Sequence, residues 1–218
     1  TCAGYKGIMM AGNYLPKFMP QIFSAVGVIQ PVNVLVIGTG VAGLQALATA
    51  KRLGAVTYAA DIRPAAAEQA SSLGAKIIDL GIKPEDAIGA GGYALSLSPE
   101  NIDKERAIIA RELPKMDIVF CSALVPGELA PVVITEEMVQ SMAPGSVIVD
   151  ISIDQGGNCA ITPPGTVEVR HRVTLMGIKN IPGMLPTSST WMFANNVANF
   201  VNFLVKDGQI ALDMNDEI

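Results

Sequence analysis

The residues with the most chemical content are one run and one acid. Gly38-Thr39-Gly40-Val41-Ala42-Gly43 follows directly on the apolar, β-branched stretch Val34-Leu35-Val36-Ile37. It opens a segment, Leu44 to Leu53, rich in good helix formers. Asp61 lies 18 residues after Gly43, at the end of a second strand-like run, Val56-Thr57-Tyr58-Ala59-Ala60. Glycines spaced G-x-G-x-x-G between a strand and a helix, with an acid closing the next strand, form the pattern of a dinucleotide pyrophosphate site. Each position has a physical task. Gly38 permits the tight turn, Gly40 lets a pyrophosphate come close to backbone, and Gly43 lets the helix pack close on the strand. The helix N-terminus offers free N–H groups and the positive end of its dipole. Asp61 is placed to accept hydrogen bonds from the adenine ribose hydroxyls. Its charge repels a 2′-phosphate, so NAD is expected over NADP, with the nearby Arg63 as the opposing signal.

Other reactive side chains carry less. Asp154, in Asp154-Gln155-Gly156-Gly157-Asn158 beyond a strand end, reads either as a catalytic or ligand-positioning acid or as a turn acid bonded to local backbone. The single histidine, His171, sits between Arg170 and Arg172, where a solvated strand edge is expected. It is a poor metal ligand or general base. Cys2, Cys121 and Cys159 are far apart and make no C-x-x-C, so neither a disulfide framework nor a metal site is indicated and a reducing compartment fits. A net charge of −5 without a basic run argues against nucleic acid as partner. Half the residues are apolar and 16% are charged, which makes a sizeable core easy to form. No charge occurs between Lys17 and Lys51, but Pro20, Pro31, Asn33 and the glycines interrupt that span, which reads as core rather than as a membrane helix.

The elements that must position these groups follow in order. Thr1 to Val28 reads as helical with interruptions at Pro16 and Pro20, and Gly27 to Pro31 as a linker. A helix from Pro64 to about Leu73 precedes a third strand, Lys76 to Leu80. Gly81 to Pro99 reads as a long loop around Gly91-Gly92-Tyr93, of a length that marks a lid or a loose connection. Pro99 to Leu113 is amphipathic, with Ile102, Ala107, Ile108 and Leu113 expected inward and Lys104, Glu105, Arg106 and Arg111 outward. Strands at Asp117–Cys121, Ser146–Asp150 and Val173–Met176 follow, with a loop at Ser122–Pro131 on the ligand side of the sheet. Ser189 to Val205 is the last strong helix, with Phe193, Val197, Phe200, Val201 and Leu204 expected to face inward and Trp191 near its start.

Six strands alternating with helices predict an α/β fold: a doubly wound, mostly parallel, six-stranded Rossmann-type sheet. Residues 1–30 are read as a linker helix from a preceding domain, 31–186 as the nucleotide-binding domain, and 187–218 as a helix and tail that pack back on that preceding domain. The chain starts without Met on residues that look like the middle of something longer.

A longer set of residues carries a family resemblance. The glycine run continues through Leu44-Gln45 and Ala48-Thr49-Ala50-Lys51-Arg52-Leu53-Gly54-Ala55. Asp61-Ile62-Arg63-Pro64, Gly91-Gly92-Tyr93-Ala94, Ala123-Leu124-Val125-Pro126-Gly127, Ile134-Thr135-Glu136-Glu137-Met138, Pro144 to Asp150 and Gln155 to Asn158 follow. Together they resemble the NAD(H)-binding component, the alpha subunit, of proton-translocating NAD(P) transhydrogenase; the related alanine dehydrogenases share the fold.

The resemblance implies hydride transfer between NAD(H) on this component and NADP(H) on a separate component that sits on a membrane proton channel. It implies the second domain of a two-domain unit whose first domain carries an Arg-Gln-Asp loop reaching the nicotinamide, so that this segment alone is a poor enzyme. By resemblance Thr39, Gly40, Val41, Asp61, Ile62, Arg63, Gly92 and Leu124 contact the cofactor, and Tyr93 belongs to a mobile loop that closes over it. A glutamine that meets NAD(H) in the family falls on Glu105, and that contact is not carried over. Expected partners are the NADP(H)-binding and membrane components and a second copy in a homodimer. The expected location is the cytoplasmic or matrix face, peripheral to an energy-transducing membrane, with no insertion of this segment. Asp150-Ile151-Ser152-Ile153-Asp154-Gln155-Gly156-Gly157 looks nearer to alanine dehydrogenase, in which the acid matching Asp154 belongs to the active site. NAD-dependent oxidative deamination of alanine is therefore the alternative, followed by a non-enzymatic NAD-sensing module on the same fold.

Overall fold

The computed structural model describes residues 1–89, 92–206, 208–212 and 216. A helix, α1 (Cys2–Tyr14), is followed by a hairpin of β1 (Ile22–Ser24) and β2 (Gly27–Ile29). Then come β3 (Asn33–Ile37), α2 (Val41–Arg52), β4 (Val56–Ala60), α3 (Pro64–Ser72) and β5 (Lys76–Ile77). The short α4 (Pro84–Ala87) and the longer α5 (Pro99–Glu112) lead to β6 (Ile118–Cys121), α6 (Glu136–Gln140) and β7 (Val147–Asp150). β8 (Val167–Arg170), β9 (Val173–Met176), α7 (Pro186–Leu204) and the small ribbon of β10 (Val205–Lys206) and β11 (Gln209–Ile210) complete the chain.

The main sheet has seven strands in the order β5-β4-β3-β6-β7-β9-β8. β3 pairs in parallel with β4 on one side and β6 on the other, so the strand order reverses at β3. Six strands are parallel and β8 runs antiparallel to β9. This is the expected doubly wound sheet with one added edge strand. Val167-Glu168-Val169-Arg170 is too polar to read as a buried strand, and the structure leaves its side chains largely exposed, as an edge allows. The crevice that such a fold offers a ligand lies outside the carboxyl ends of β3 and β6.

Two apolar layers flank the sheet. Ile8, Ala11, Ala46, Leu47 and Phe120 belong to one, and Leu35, Ile109, Leu113 and Leu175 to the other. The first layer explains α1. A Cβ on Gly4 would stand 2.0 Å from the Ala42 carbonyl oxygen, and one on Gly7 would stand 2.7 Å from the Phe120 ring. Small residues thus let α1 lie directly on the first turn of α2 and over β6. The helix ends at Tyr14, well before the Val28 expected from the sequence. Pro16 and Pro20 stop it, and the apolar residues beyond form the β1–β2 hairpin, with Phe23 and Val26 exposed.

α7 departs from expectation in another way. It forms where the pattern placed it, yet Phe193, Val197, Phe200 and Val201 are all exposed. Its packing within this chain is chiefly at its two ends, against the turn Ile181–Met184 and against β10. The sequence identifies an apolar face correctly, but periodicity alone does not say which surface that face meets.

Candidate dinucleotide site

β3 ends at Ile37 and the chain turns at Gly38, whose φ of +83° only glycine adopts without strain. Space demands glycine here as well, since a Cβ would fall 2.6 Å from the Ala123 nitrogen. Ser122, just after β6, fastens the turn: its N–H donates to the Ile37 carbonyl at 2.8 Å and its Oγ to the Gly38 carbonyl at 2.7 Å. Gly43 is fixed by packing, because its Cβ would stand 2.1 Å from the Gly38 carbonyl oxygen. Gly40 is different. Its φ is −72° and a Cβ there would meet nothing within 4 Å. The fold therefore does not require glycine at position 40.

α2 begins at Val41, and Leu44 N–H is satisfied by the Gly40 carbonyl at 2.8 Å. The N–H groups of Val41, Ala42 and Gly43 in its first turn have no partner within the helix, and these residues line the cleft at the positive end of the helix dipole. The cleft measures about 840 Å³ and runs from this turn toward β4 on one side and the loop after β6 on the other. That size suits a nucleotide-scale ligand.

Of the eleven residues singled out from the sequence, Gly38, Gly40, Val41, Gly43, Asp61, Ile62, Arg63, Tyr93 and Leu124 line the cleft. Thr39 and Gly92 do not. Thr39 is 1% exposed and turned to Asp61, donating from its backbone N–H at 2.7 Å and from Oγ1 at 3.1 Å. Gly92 shapes the chain beside the cleft with a φ of +76°. Gly91 lies outside the described residues. The stretch read as a long loop is more built than expected: it contains α4, an antiparallel bridge between Ile88 and Ala94, and a hydrogen bond from Gly89 N–H to the Tyr93 carbonyl. Ser96 reaches across the cleft mouth to donate to Glu128.

Asp61 accepts from Arg63 as well as from Thr39, so its carboxylate is densely bonded. Burial alone would push its carboxyl up. The Arg63 side chain and N–H, with the Thr39 N–H, outweigh burial and hold it below the usual range.

Sequence reasoning misplaced one wall. On α5, Ala107 is exposed, whereas Glu105 is 5% exposed and lines the cleft. The helix is rotated so that Ile109, at 0% exposure, is its deepest residue and Glu105, one turn earlier, shares its face. Burial, and next the charge of Asp61, raise the Glu105 carboxyl to about 7, against the opposing charge of Arg106.

A second group that sequence reasoning missed holds the loop after β6. Asn158 is fully buried; its side chain accepts from Ala123 N–H at 3.0 Å and donates to the carbonyls of Ala123 and Pro131 at 2.9 and 2.8 Å. Asp150, at the end of β7, accepts the N–H groups of Ser152, Asn158 and Cys159 at 2.8–3.0 Å. Asp154 lies away from this wall, exposed, with Lys179 Nζ at 3.6 Å. His171 occupies the exposed turn between β8 and β9, with Nε2 2.7 Å from Glu136. Among the described residues, no cluster of acids, histidines or cysteines is arranged to hold a metal.

Residues 7–218 match the family described as alanine dehydrogenase/PNT, C-terminal domain. The chain belongs to that family. Its relatives carry two names. An NAD(P) transhydrogenase alpha-subunit polypeptide of Rhodospirillum rubrum is 44% identical over 200 residues, covering 91% of this chain and 52% of that protein. Alanine dehydrogenase of Bacillus subtilis is 30% identical over 212 residues, covering 95% of this chain and 47% of that protein. The solved transhydrogenase structure from Sinorhizobium meliloti superposes with a TM-score of 0.81 at 39% identity, covering 99% of this chain and 57% of that one. The chain thus spans about half the length of the relatives it matches.

Proposed function

We propose that this chain is the NAD(H)-binding segment of a proton-translocating NAD(P) transhydrogenase. Gly40 carries the nucleotide-binding reading. Neither backbone angle nor packing requires glycine there, so its missing side chain serves a group that approaches from the cleft, beside the free N–H groups of α2. Asp61 at the end of β4 stands where the adenine ribose of such a ligand would lie. The residues therefore fit a dinucleotide. Transhydrogenase is preferred to alanine dehydrogenase because identity is 44% to the one and 30% to the other. The placement of Asp154 off the cleft wall, beside Lys179, supports the same preference.

In this reading the first turn of α2 holds the pyrophosphate. Asn158 holds the Ala123–Pro131 wall, and the apolar side chains of Leu124 and Ile151 shield the inner end of the cleft. NAD(H), when bound, supplies or accepts the hydride. No acid–base residue is needed for that passage, and what the protein contributes is alignment. The NADP(H)-binding and membrane components are the partners, and a second copy completes a homodimer. The position is peripheral, on the cytoplasmic or matrix face of the membrane; among the described residues no helix is long and apolar enough to cross one. The exposed apolar residues of α7 pack on the remaining domain of the longer protein.

The test mixes the longer protein containing this chain with a purified NADP(H) component, NADPH and an NAD analogue, and follows analogue reduction optically. Reduction without alanine oxidation is expected. Alanine-dependent NADH formation would establish the alanine dehydrogenase alternative, and nucleotide binding with neither activity would point to a sensing module.

A further inference from the structure

We propose that Asn158 is a positioning residue for hydride transfer. It touches no nucleotide itself, but it sets the wall on which the nicotinamide ring lies, and so governs the rate of transfer and not nucleotide affinity. The inference rests on the transhydrogenase reading of the cleft. A doubly wound sheet gives one of its halves to each end of a dinucleotide. Asp61, after β4, claims the adenosine end for β3, β4 and β5. The nicotinamide end then falls to the half built from β6, β7 and β9. From that half the cleft is lined by the loop after β6, Leu124 included, and by Ile151 and Gln155 beyond β7. Asn158 lies behind this wall, at 0% exposure and off the cleft surface.

Its amide is used to capacity. Oδ1 accepts from Ala123 N–H at 3.0 Å and from Ser152 Oγ at 2.8 Å. Nδ2 donates to the carbonyls of Ala123 at 2.9 Å and Pro131 at 2.8 Å. A primary amide has two N–H donors and two acceptor lone pairs, and all are filled here. Ala123 and Pro131 stand at the two ends of the loop, so one side chain closes its stem. The main chain adds to the clamp. The Asn158 carbonyl accepts the N–H groups of Val133 and Ile134 at 2.9 and 3.0 Å, and Ala130 N–H donates to the Gln155 carbonyl at 2.7 Å. From α5, Arg106 donates to the Val132 carbonyl. Each residue from Ala130 to Ile134 is thus tied to another segment. Asn158 is itself held by Asp150, whose Oδ2 accepts its N–H at 2.8 Å and that of Cys159 at 2.9 Å. A Cβ on Gly157, where φ is +86°, would stand 2.9 Å from the same oxygen. The turn cannot shift without breaking buried bonds.

Hydride transfer gives this fixation a purpose. One C–H bond breaks on the reduced ring and one forms on the oxidised ring. The hydride carries both electrons, NADPH is oxidised, NAD+ is reduced, and no proton is taken up. The rate depends on ring placement, and a displacement of about 1 Å can cost roughly 100-fold. Leu124 and Ile151 present apolar side chains to the ring, so a wall that moves takes the ring with it. Affinity comes mainly from the other half, where the glycine turn and Asp61 meet pyrophosphate and ribose. Among the described residues, Asn158 makes no hydrogen bond to either.

The test uses the longer protein containing this chain and a purified NADP(H) component loaded with NADPH. Reduction of an NAD analogue is followed optically in a single turnover after rapid mixing. Asn158→Asp keeps the shape and the acceptors but loses both donors. Its transfer rate constant should fall roughly 10- to 100-fold. Its dissociation constant for ADP-ribose, which lacks the nicotinamide ring, should stay within about twofold of wild type by calorimetric titration. A wild-type rate constant in the folded variant would overturn the proposal. So would a loss of ADP-ribose affinity as large as the loss of rate, because that marks a general structural role. If circular dichroism finds Asn158→Asp unfolded, Ser152→Ala replaces it, removing a single bond to the amide. That variant should transfer severalfold more slowly with unchanged ADP-ribose binding, and an unchanged rate constant would overturn the proposal. No transfer by wild type, or alanine-dependent NADH formation by it, would instead overturn the transhydrogenase reading itself.

Discussion

Arg63 lies across Asp61 as a two-point ion pair: Nε meets Oδ1 at 3.0 Å and Nη2 meets Oδ2 at 2.9 Å. The Asp61 side chain is left only 3% exposed and that of Arg63 24%. In sequence the two residues send opposite messages about the nucleotide, since an acid here selects a free ribose and an arginine nearby accommodates a 2′-phosphate. The geometry resolves the conflict. Arg63 commits two of its donors to Asp61 and so is not free to serve a phosphate without giving up the pair. NADH is expected to bind more tightly than NADPH, by calorimetric titration with both. Tighter NADPH binding would refute this account of the pair.

The same carboxylate also anchors the glycine turn through Thr39, so Asp61→Asn should cost stability as well as affinity. Losing charge-assisted bonds at a buried site costs roughly 1–3 kcal/mol. The sign with pH follows from a carboxyl held below its ordinary value when folded. Its contribution is fully present above the unfolded value and is lost as pH falls through the folded one. Urea unfolding should therefore separate wild type from Asp61→Asn at pH 7 and bring them together in strong acid. A gap that persists there would mean the effect is packing and not charge.

Much of this site is legible in the sequence because local rules set it. A strand, a glycine turn, a helix and an acid at the next strand end are each specified by residues within a few positions, and the glycine turn and the acid line the cleft, except Thr39, which is turned to Asp61. What is not legible depends on contacts distant in sequence. Glu105 looks like a solvated helix charge until the rotation of α5 is known, and that rotation is set by Ile109 against the sheet. Asn158 sits in a glycine-rich turn, and nothing local announces that it clamps Ala123 and Pro131. Val167–Arg170 becomes a strand only because β9 offers it an open edge. The β1–β2 hairpin is hidden by apolar spacing that also suits a helix.

Two glycines of one motif should respond differently to alanine. A Cβ at Gly43 would press on the Gly38 carbonyl, with Ser122 Oγ 3.1 Å away, and backbone cannot yield there cheaply. Gly43→Ala should destabilise by roughly 1–3 kcal/mol, as overpacking does. Gly40→Ala meets open space, so its stability cost should stay within about 1 kcal/mol, the scale of a helix-cap change. Its effect should appear in nucleotide affinity. Thermal unfolding and NADH titration of both variants give the comparison, and equal stability losses would contradict the division of roles.

Residues 93–97, ahead of α5, line the cleft, with Tyr93 62% exposed and Ser96 bonded to Glu128 on the other side. An exposed aromatic ring beside a nucleotide cleft gains contact area when the ligand arrives. Amide hydrogen exchange over residues 92–98 should slow on adding NADH. Ser96→Ala should raise exchange in the free protein by removing the tie to Glu128. Unchanged protection at saturating NADH would count against a closing segment.

Glu105 makes a prediction that needs no nucleotide. Its carboxyl is raised from 4.5 to about 7 by burial and, after that, by Asp61. For an acid whose folded value is raised, the folded chain holds a proton that the unfolded chain has already released. Stability therefore falls as pH rises from the unfolded value to the folded one, and continues to fall above it only through other groups. At about 1.4 kcal/mol per pH unit the full effect is roughly 3 kcal/mol, as an upper bound. Glu105→Gln removes the charge and keeps the shape. The variant should match wild type near pH 4.5 and be the more stable protein at pH 8, read as a higher urea midpoint with an unchanged slope. A variant less stable than wild type at pH 8 would mean that the carboxylate is held by partners in the folded chain and is not raised by burial.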